Sequence, residues 1–385
     1  MPQAALRSSF SSVDPLRTAL TIVAVSIPNG LFVLNSTLIF AEFAQKMWSK
    51  VMRQLLLTAP FPTHLVDKIR AVSPNLQIEQ RTLPNGRWPE NWTTDAEIYY
   101  AQGAVPPLAQ APNLQWVQTH YAGIDSLENS DLWQSEVMIT TASGVHAANM
   151  AQYALTQILL WAHRVPNWFD YKKTKTWSKN RWDMFVPQEL NGKTLGILGY
   201  GSIGRQLARL AKPFGLKILV TKRDARQLAD TGYVEPGQGD PEGTLPDRIY
   251  PSEATRSMVA ECDYVVITLP FTERTHHLFD EELFKAMKPT AFLVNVGRGP
   301  IIKETALVRG LKKGWLAGAG LDVFEEEPLP EDSPLWQLEN VILTPHISGF
   351  TPHYDERATD IFAENLRRYL SGEPLLNQVD RAHGY

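Results

Sequence analysis

The sequence predicts an α/β protein of two domains, each built on a parallel sheet, one of them discontinuous, with a cleft between. Three observations lead there. Short apolar runs at Leu55–Leu57, Leu114–Thr119, Leu195–Leu198, Lys217–Val220, Tyr264–Leu269, Ala291–Val296 and Val341–Leu343 alternate with amphipathic stretches, the pattern of βα units that feed parallel sheets. A chain of 385 residues suits two or three domains at ~150 residues each. The strand pattern ends near Leu343, yet an amphipathic stretch follows at Thr351–Leu370, with Ile361, Phe362, Leu366, Tyr369 and Leu370 spaced for one helical face. That helix is expected to return to the first domain. The expected units are an extension at 1–52, one domain at 53–148 plus 350–385, and a second at 149–349.

Composition narrows the class. Lys and Arg number 37 against 41 Asp and Glu, a net charge of −4, with 44% apolar and 20% charged residues. This is ordinary globular composition, not that of a disordered chain. The mild acidity argues against a nucleic-acid partner, which asks for a basic face. Cys262 is the one cysteine, so no intrachain disulfide forms and a reducing, cytoplasmic setting is expected. No Cys/His cluster has metal-ligand spacing, and no metal is expected.

The N-terminal segment differs from the rest. Thr18–Ala41 is a run of 24 uncharged residues, long enough to span a bilayer. Pro28-Asn29-Gly30 in mid-run, with Ser26, Asn35, Ser36 and Thr37, makes spanning costly. A non-functional extension is therefore expected ahead of a membrane anchor, and a membrane anchor ahead of a cleaved targeting peptide, with Met47 or Met52 opening the folded protein.

Elements follow in order. Ala147–Ala162 is nearly uncharged and apolar on all sides, so it is expected to be buried and to cross between the domains. The Trp-bearing segment Trp168–Trp182 and this helix are expected to serve a homodimer interface. Leu195–Leu198 runs into GYGSIG at 199–204, then into a helical pattern. Strand, glycine turn and helix are what a Rossmann-like dinucleotide site requires. Gly199 makes the tight turn, Gly201 lets backbone approach a pyrophosphate, and Gly204 lets helix and strand pack closely. The phosphates would sit at the positive helix end near Ser202 and Ile203.

The next strand bears on which dinucleotide binds. A site preferring NAD ends it with an acid on the ribose 2′-OH. Here Thr221-Lys222-Arg223 stands there, and the basic pair would attract a 2′-phosphate while Thr221 would hydrogen-bond it. NADP(H) is favoured, and Asp224 keeps NAD(H) open. Thr231–Ser252, with four Gly and four Pro in 22 residues, reads as an inserted surface loop.

Three later segments end at carboxyl edges of strands, which face the ligand crevice in such sheets. They are Gly297-Arg298-Gly299, Gly320-Leu321-Asp322-Val323-Phe324-Glu325-Glu326-Glu327-Pro328, and Thr344-Pro345-His346-Ile347-Ser348-Gly349. Taken singly, Arg298 fits a surface ion pair, the Glu325–Glu327 run a solvated face, and His346 a structural histidine. Together, downstream of the glycine turn, they read as a site. His276 and His277 lack a partner motif and read as structural or cleft-edge residues; His120 and His146 are cleft candidates.

With GYGSIG, VNVGRG at 294–299, GLDVFEEEP at 320–328 and TPHISG at 344–349, the chain resembles the D-isomer-specific 2-hydroxyacid dehydrogenase family across about residues 53–381. The resemblance implies that Arg298 grips a substrate carboxylate and that Glu327 pairs with His346. It also implies that backbone N–H groups at Ala122, Gly123 and Ile124, in Tyr121–Asp125, bind the same carboxylate. Pro270 and Asp322 would join the cofactor site. The chemistry is consistent: imidazolium donates a proton to the oxygen of a 2-oxo acid, a carboxylate on its other nitrogen fixes the tautomer, and a guanidinium matches a carboxylate bidentately. The family implies a homodimer and a small 2-oxo or 2-hydroxy acid substrate. Basic residues at 222–223 look most like the glyoxylate/hydroxypyruvate reductases. The chain stops soon after the returning helix, so no appended regulatory domain is expected, and Glu327 stands where formate dehydrogenases of the superfamily carry Gln. The family also includes non-catalytic nucleotide-sensing co-repressors, the rival reading.

Overall fold

A computed structural model describes residues 24–27, 30–33, 52–124, 127 and 130–381. Ala24–Ile27 (β1) and Gly30–Val33 (β2) pair antiparallel as a sheet of their own. The remainder of the 1–52 extension, apart from Met52, lies outside the described residues, as does what was expected of it. Among the described residues no helix is long and apolar enough to cross a membrane.

Two larger sheets carry the chain, and every strand pair in them is parallel. The first holds Arg53–Leu57 (β3), Leu76–Gln80 (β4), Ile98–Ala101 (β5), Trp116–Thr119 (β6) and Met138–Thr140 (β7), in the order β4-β3-β5-β6-β7. The second holds Thr194–Leu198 (β8), Lys217–Lys222 (β9), Arg248–Pro251 (β10), Tyr264–Ile267 (β11), Phe292–Asn295 (β12), Gly318–Leu321 (β13) and Val341–Leu343 (β14). Its order, β10-β9-β8-β11-β12-β13-β14, reverses direction at β8. In open α/β sheets ligands bind at the carboxyl ends beside such a reversal, which places the GYGSIG turn at the switch point.

The helix Ala147–Ala162 forms with the bounds its sequence predicts. Its apolar faces explain its position: Ala151, Ala154 and Ile158 are fully buried against the second sheet, and Trp161 stacks on Phe292 at 4.6 Å. The final helix, Tyr354–Ser371, returns to the first sheet, where Phe362 and Leu366 are buried beside Leu55, Tyr100 and Trp116. Burying one such side chain contributes about 2 kcal/mol, enough to hold the return.

In the two larger sheets β4, β5, β7 and β13 lie outside the strands expected from sequence, and β10 lies at the end of the segment read as a loop. The reason is clearest for β13, whose sequence Gly-Ala-Gly-Leu has weak strand propensity. A Cβ at Gly318 would stand 2.5 Å from the Trp161 ring, so the crossing helix dictates glycine where local propensity would not.

The segment Thr231–Ser252 is more than a surface loop. Asp240 is 2% exposed and accepts from Tyr200 Oη at 2.6 Å and from the N–H groups of Thr244 and Leu245, both at 3.0 Å. Farther along, the Tyr233 N–H donates to Asn377 Oδ1 at 3.0 Å, and Glu235 pairs with Arg357 at 3.3 Å. The segment therefore joins the glycine turn of the second sheet to the return segment of the first.

Candidate active site

The glycine turn is built by close approach. Gly199 takes φ +96°, and a Cβ at Gly204 would stand 2.3 Å from the Gly199 carbonyl oxygen. At Gly201 a Cβ would meet nothing within 4 Å, so the outer side of the turn is open. The helix Ser202–Ala211 starts from Gly201 with no side-chain cap, leaving its first N–H groups free to receive an anion. Ser202 and Ile203 are half-buried beside it. These features fit a dinucleotide pyrophosphate.

At the end of β9, Thr221 departs from expectation. It is 2% exposed, and its hydroxyl accepts the Gly199 N–H at 3.3 Å. It braces the turn from beneath, its hydroxyl turned to the Gly199 N–H. Lys222 is half-buried and donates to the Gln227 carbonyl, while Arg223 and Asp224 are exposed. Burial, and then the charge of Arg205, push the Lys222 ammonium below its ordinary range, so an anion beside it relieves local repulsion. Pro270 is exposed just past β11, and its carbonyl accepts from Thr275 Oγ1 at 2.9 Å.

Arg298 follows β12 and is partly buried. Its neighbour Gly299 packs so tightly that a Cβ would fall 1.7 Å from the Phe324 carbonyl oxygen, which fixes the arginine against the Glu327 segment. His346 Nδ1 lies 2.7 Å from Glu327 Oε2, and Glu327 Oε1 accepts the Phe324 N–H at 3.0 Å. The carboxylate is thus aimed by backbone, and it leaves Nε2 of His346, a residue 52% exposed at its side chain, facing outward. Glu325 also has work: it pairs with His277 and accepts the Glu304 N–H at 2.9 Å. His277 and Glu325 are therefore partners, which fits a structural role for His277 and departs from the reading of Glu325 as solvated.

Asp322 departs from its expected place among cofactor contacts. It is fully buried, and its carboxylate is occupied by Thr344 Oγ1 at 2.6 Å and the N–H groups of Ile347 and Ser348 at 2.9 and 2.8 Å. Its side chain serves the His346 loop, since three inward donors leave no face for a ligand.

The loop Ala122–Ile124 follows β6, with Ala122 and Gly123 half-buried and Ile124 buried; Asp125 lies outside the described residues. The Tyr121 carbonyl accepts from Thr119 Oγ1 at 2.7 Å and from the Ala142 N–H at 3.1 Å, pinning the loop base. His120 and His146 flank Tyr354, at ring distances of 4.7 and 5.1 Å. His146 Nδ1 pairs with the Gly349 carbonyl at 2.9 Å. Burial chiefly pushes the His146 imidazole below its ordinary range, with the charges of Arg298 and Arg357 adding to it. These contacts bring the first sheet's loop base, the return segment and the Arg298 edge to one place.

Sequence reasoning missed Tyr153 and Gln157 on the crossing helix. Their signal was weak: they stand four apart and share one face, but Asn149, Gln152 and Thr156 are polar on the same helix too.

Comparisons with known proteins give the family. Residues 155–348 match the family model described as "D-isomer specific 2-hydroxyacid dehydrogenase, NAD binding domain". A glyoxylate reductase of Korarchaeum cryptofilum is 35% identical over 74% of this chain and 80% of its own length. One from Thermococcus gammatolerans is 36% identical over 68% and 75%. Among solved structures, a D-isomer specific 2-hydroxyacid dehydrogenase family protein of Aeromonas salmonicida superposes with a TM-score of 0.68 at 34% identity, covering 86% of this chain and 99% of that one. A D-isomer specific 2-hydroxyacid dehydrogenase of Xanthobacter autotrophicus, solved with NADPH and MES, gives a TM-score of 0.70 at 27% identity over 87% and 100%. This chain belongs to the D-isomer-specific 2-hydroxyacid dehydrogenase family, NAD(P)-dependent oxidoreductases that interconvert 2-oxo and D-2-hydroxy acids.

Proposed function

We propose that the protein is an NADPH-preferring reductase of a small 2-oxo acid, with glyoxylate and hydroxypyruvate the leading candidates. The observation that carries the reading is the Glu327–His346 pair at 2.7 Å, on the same sheet edge as Arg298. When bound, the nicotinamide supplies the hydride; the chain's own residues supply orientation and the proton. Arg298 and the backbone of Ala122–Ile124 hold the substrate carboxylate, which turns the 2-oxo carbon toward the sheet's carboxyl edge. His346 Nε2 donates a proton to the carbonyl oxygen as it gains negative charge. Glu327, on Nδ1, fixes which nitrogen faces the substrate and offsets the charge of the imidazolium. In the oxidative direction neutral His346 accepts the same proton.

The pyrophosphate is assigned to the Gly199–Gly204 turn and the N-terminus of Ser202–Ala211, beside Pro270, and the 2′-phosphate to Lys222 and Arg223. The glyoxylate reductases among the relatives and the NADPH-bound Xanthobacter structure support the substrate and cofactor readings. Residues 149–349 are proposed as the dinucleotide domain, and 53–148 with 350–385 as the substrate domain, with the cleft between. A homodimer is proposed through the helices Val165–Thr174 and Arg181–Phe185 and the link between them, where Trp168, Phe169, Trp177 and Trp182 are exposed, an apolar surface that favours a partner. The cytoplasm is the proposed location.

The test is an initial-rate assay with NADPH and with NADH against glyoxylate, hydroxypyruvate and pyruvate. Lys222→Ala with Arg223→Ala is expected to raise KM for NADPH about 10- to 100-fold and leave NADH nearly unchanged. Preference for NADH in the wild type would move the ribose contact to Asp224.

A further inference from the structure

We propose that Tyr153 and Gln157, on the crossing helix, are positioning residues for His346, acting through a directed hydrogen-bond chain that ends on Asp322; the inference rests on His346 being the proton donor. The chain is continuous. Gln157 Nε2 donates to Tyr153 Oη at 2.7 Å, Tyr153 Oη meets Thr344 Oγ1, and Thr344 Oγ1 reaches Asp322 Oδ1 at 2.6 Å.

Its direction follows from counting protons. A carboxylate accepts only, so the single Thr344 hydroxyl proton goes to Asp322. Thr344 must then accept from Tyr153, whose one proton is thereby used, and Tyr153 in turn accepts from the Gln157 amide. With the amide turned round, Tyr153 would donate to Gln157 Oε1, no proton would lie between Tyr153 and Thr344, and the chain would break. Burial, and then the charge of Asp322, push the Tyr153 phenol above its ordinary range, while Thr344 and Gln157 counter only in part, so the phenol keeps the proton it donates.

The far end of the chain sets the histidine. His346 has φ +52°, a left-handed backbone that a non-glycine residue holds only when its surroundings impose it. Asp322 imposes it from both sides. Its carbonyl accepts the His346 N–H at 2.9 Å, and its carboxylate takes the next two N–H groups, of Ile347 and Ser348, at 2.9 and 2.8 Å. Thr344 fixes that carboxylate's rotation, and Tyr153 fixes Thr344. Gln157 is 2% exposed and wedged over β13, where a Cβ on Gly320 would stand 3.0 Å from its Oε1. The crossing helix is thereby keyed to the loop that carries the proton donor.

The experiment measures kcat, KM and dinucleotide Kd for Tyr153→Phe, Thr344→Val, Thr344→Ser and His346→Ala. It uses NADPH and whichever of glyoxylate, hydroxypyruvate and pyruvate the wild type reduces fastest. Tyr153→Phe keeps the ring and removes only the link. The expected result is a kcat lower by about 5- to 50-fold, because small misplacements of a reacting group are costly, with KM and dinucleotide Kd within about twofold of wild type. Thr344→Ser should keep most of the activity and Thr344→Val lose it, and the double variant Tyr153→Phe/Thr344→Val should be no worse than Thr344→Val alone. Unchanged kcat in Tyr153→Phe, or fully additive losses in the double variant, would overturn the proposal. If Tyr153→Phe does not fold, the Thr344 pair decides the same question from the loop side. His346→Ala separates the two levels: turnover retained there sinks the proton-donor reading itself, whereas turnover lost there with Tyr153→Phe unaffected sinks only the chain.

Discussion

His346 Nδ1 stands 2.7 Å from Glu327 Oε2, while the other oxygen of that carboxylate is held by the Phe324 N–H at 3.0 Å. The Glu327 carboxylate is therefore aimed from the backbone, while the loop that carries His346 is set by Asp322. His346→Ala is expected to lower kcat by about 10²- to 10⁴-fold, the usual worth of a general acid. Glu327→Ala should cost less, about 10- to 10²-fold. Fluorescence titration with NADPH should give the wild-type Kd for both. Lost nucleotide binding would show that the pair supports the fold, not the proton transfer.

Gly204→Ala tests the dinucleotide turn. The added Cβ would stand 2.3 Å from the Gly199 carbonyl oxygen, so helix and turn must separate. Nucleotide binding is expected to fall at least about tenfold, with a loss of about 1–3 kcal/mol in stability from overpacking. Gly201→Ala provides the contrast, since its Cβ meets no protein atom. It should leave stability near wild type and weaken only nucleotide binding, as calorimetry with and without NADPH would show.

Asp240 anchors the inserted segment under the glycine turn through Tyr200, Thr244 and Leu245. Burial works against its charge, but those donors, with Arg205, outweigh it and hold the carboxyl below its usual range. Asp240→Ala removes the acceptor and strands the buried Tyr200 hydroxyl, a change worth about 1–3 kcal/mol. Limited proteolysis should cut the variant between 229 and 247 at protease levels that leave the wild type intact. Equal resistance would mean that Arg205 and Gln206 hold the segment without it.

His120 makes stability depend on pH. Burial, and then the charge of His146, lower its pKa from 6.5 to about 4, while Nδ1 stays paired with Tyr100 Oη at 2.9 Å. Asp355 lies 3.7 Å from Nε2, but its own carboxyl is pushed up by burial and by Glu356, which makes it a weak counter-charge. Between pH 6.5 and about 4 the unfolded chain binds a proton that the folded chain refuses. Acidification through that window therefore favours unfolding, by roughly 3 kcal/mol once below both values. Urea unfolding at pH 7 and pH 5 should show the loss in wild type, and His120→Gln should flatten it. An unchanged slope in the variant would assign the effect to other groups.

The sequence by itself determined the α/β class, the two parallel sheets, the crossing helix at 147–162 with its bounds, and the returning C-terminal helix. It also singled out the glycine turn, Arg298, Glu327 and His346 as the candidate site. These were legible because each depends on local rules: apolar periodicity, glycine where backbone must approach, and motif spacing at strand ends. The tertiary structure decided what depends on neighbours distant in sequence. It made β13 a strand of Gly-Ala-Gly-Leu because Trp161 leaves room for nothing larger. It turned Thr221 beneath the turn and Asp322 into the His346 loop, and gave His277 the partner Glu325. It also drew the inserted segment across to Asn377 and Arg357. A side chain's type fixes what it can bond, but which donors surround it follows from strand order and helix placement. A carboxylate such as Asp322, with three inward donors, takes its role from the fold.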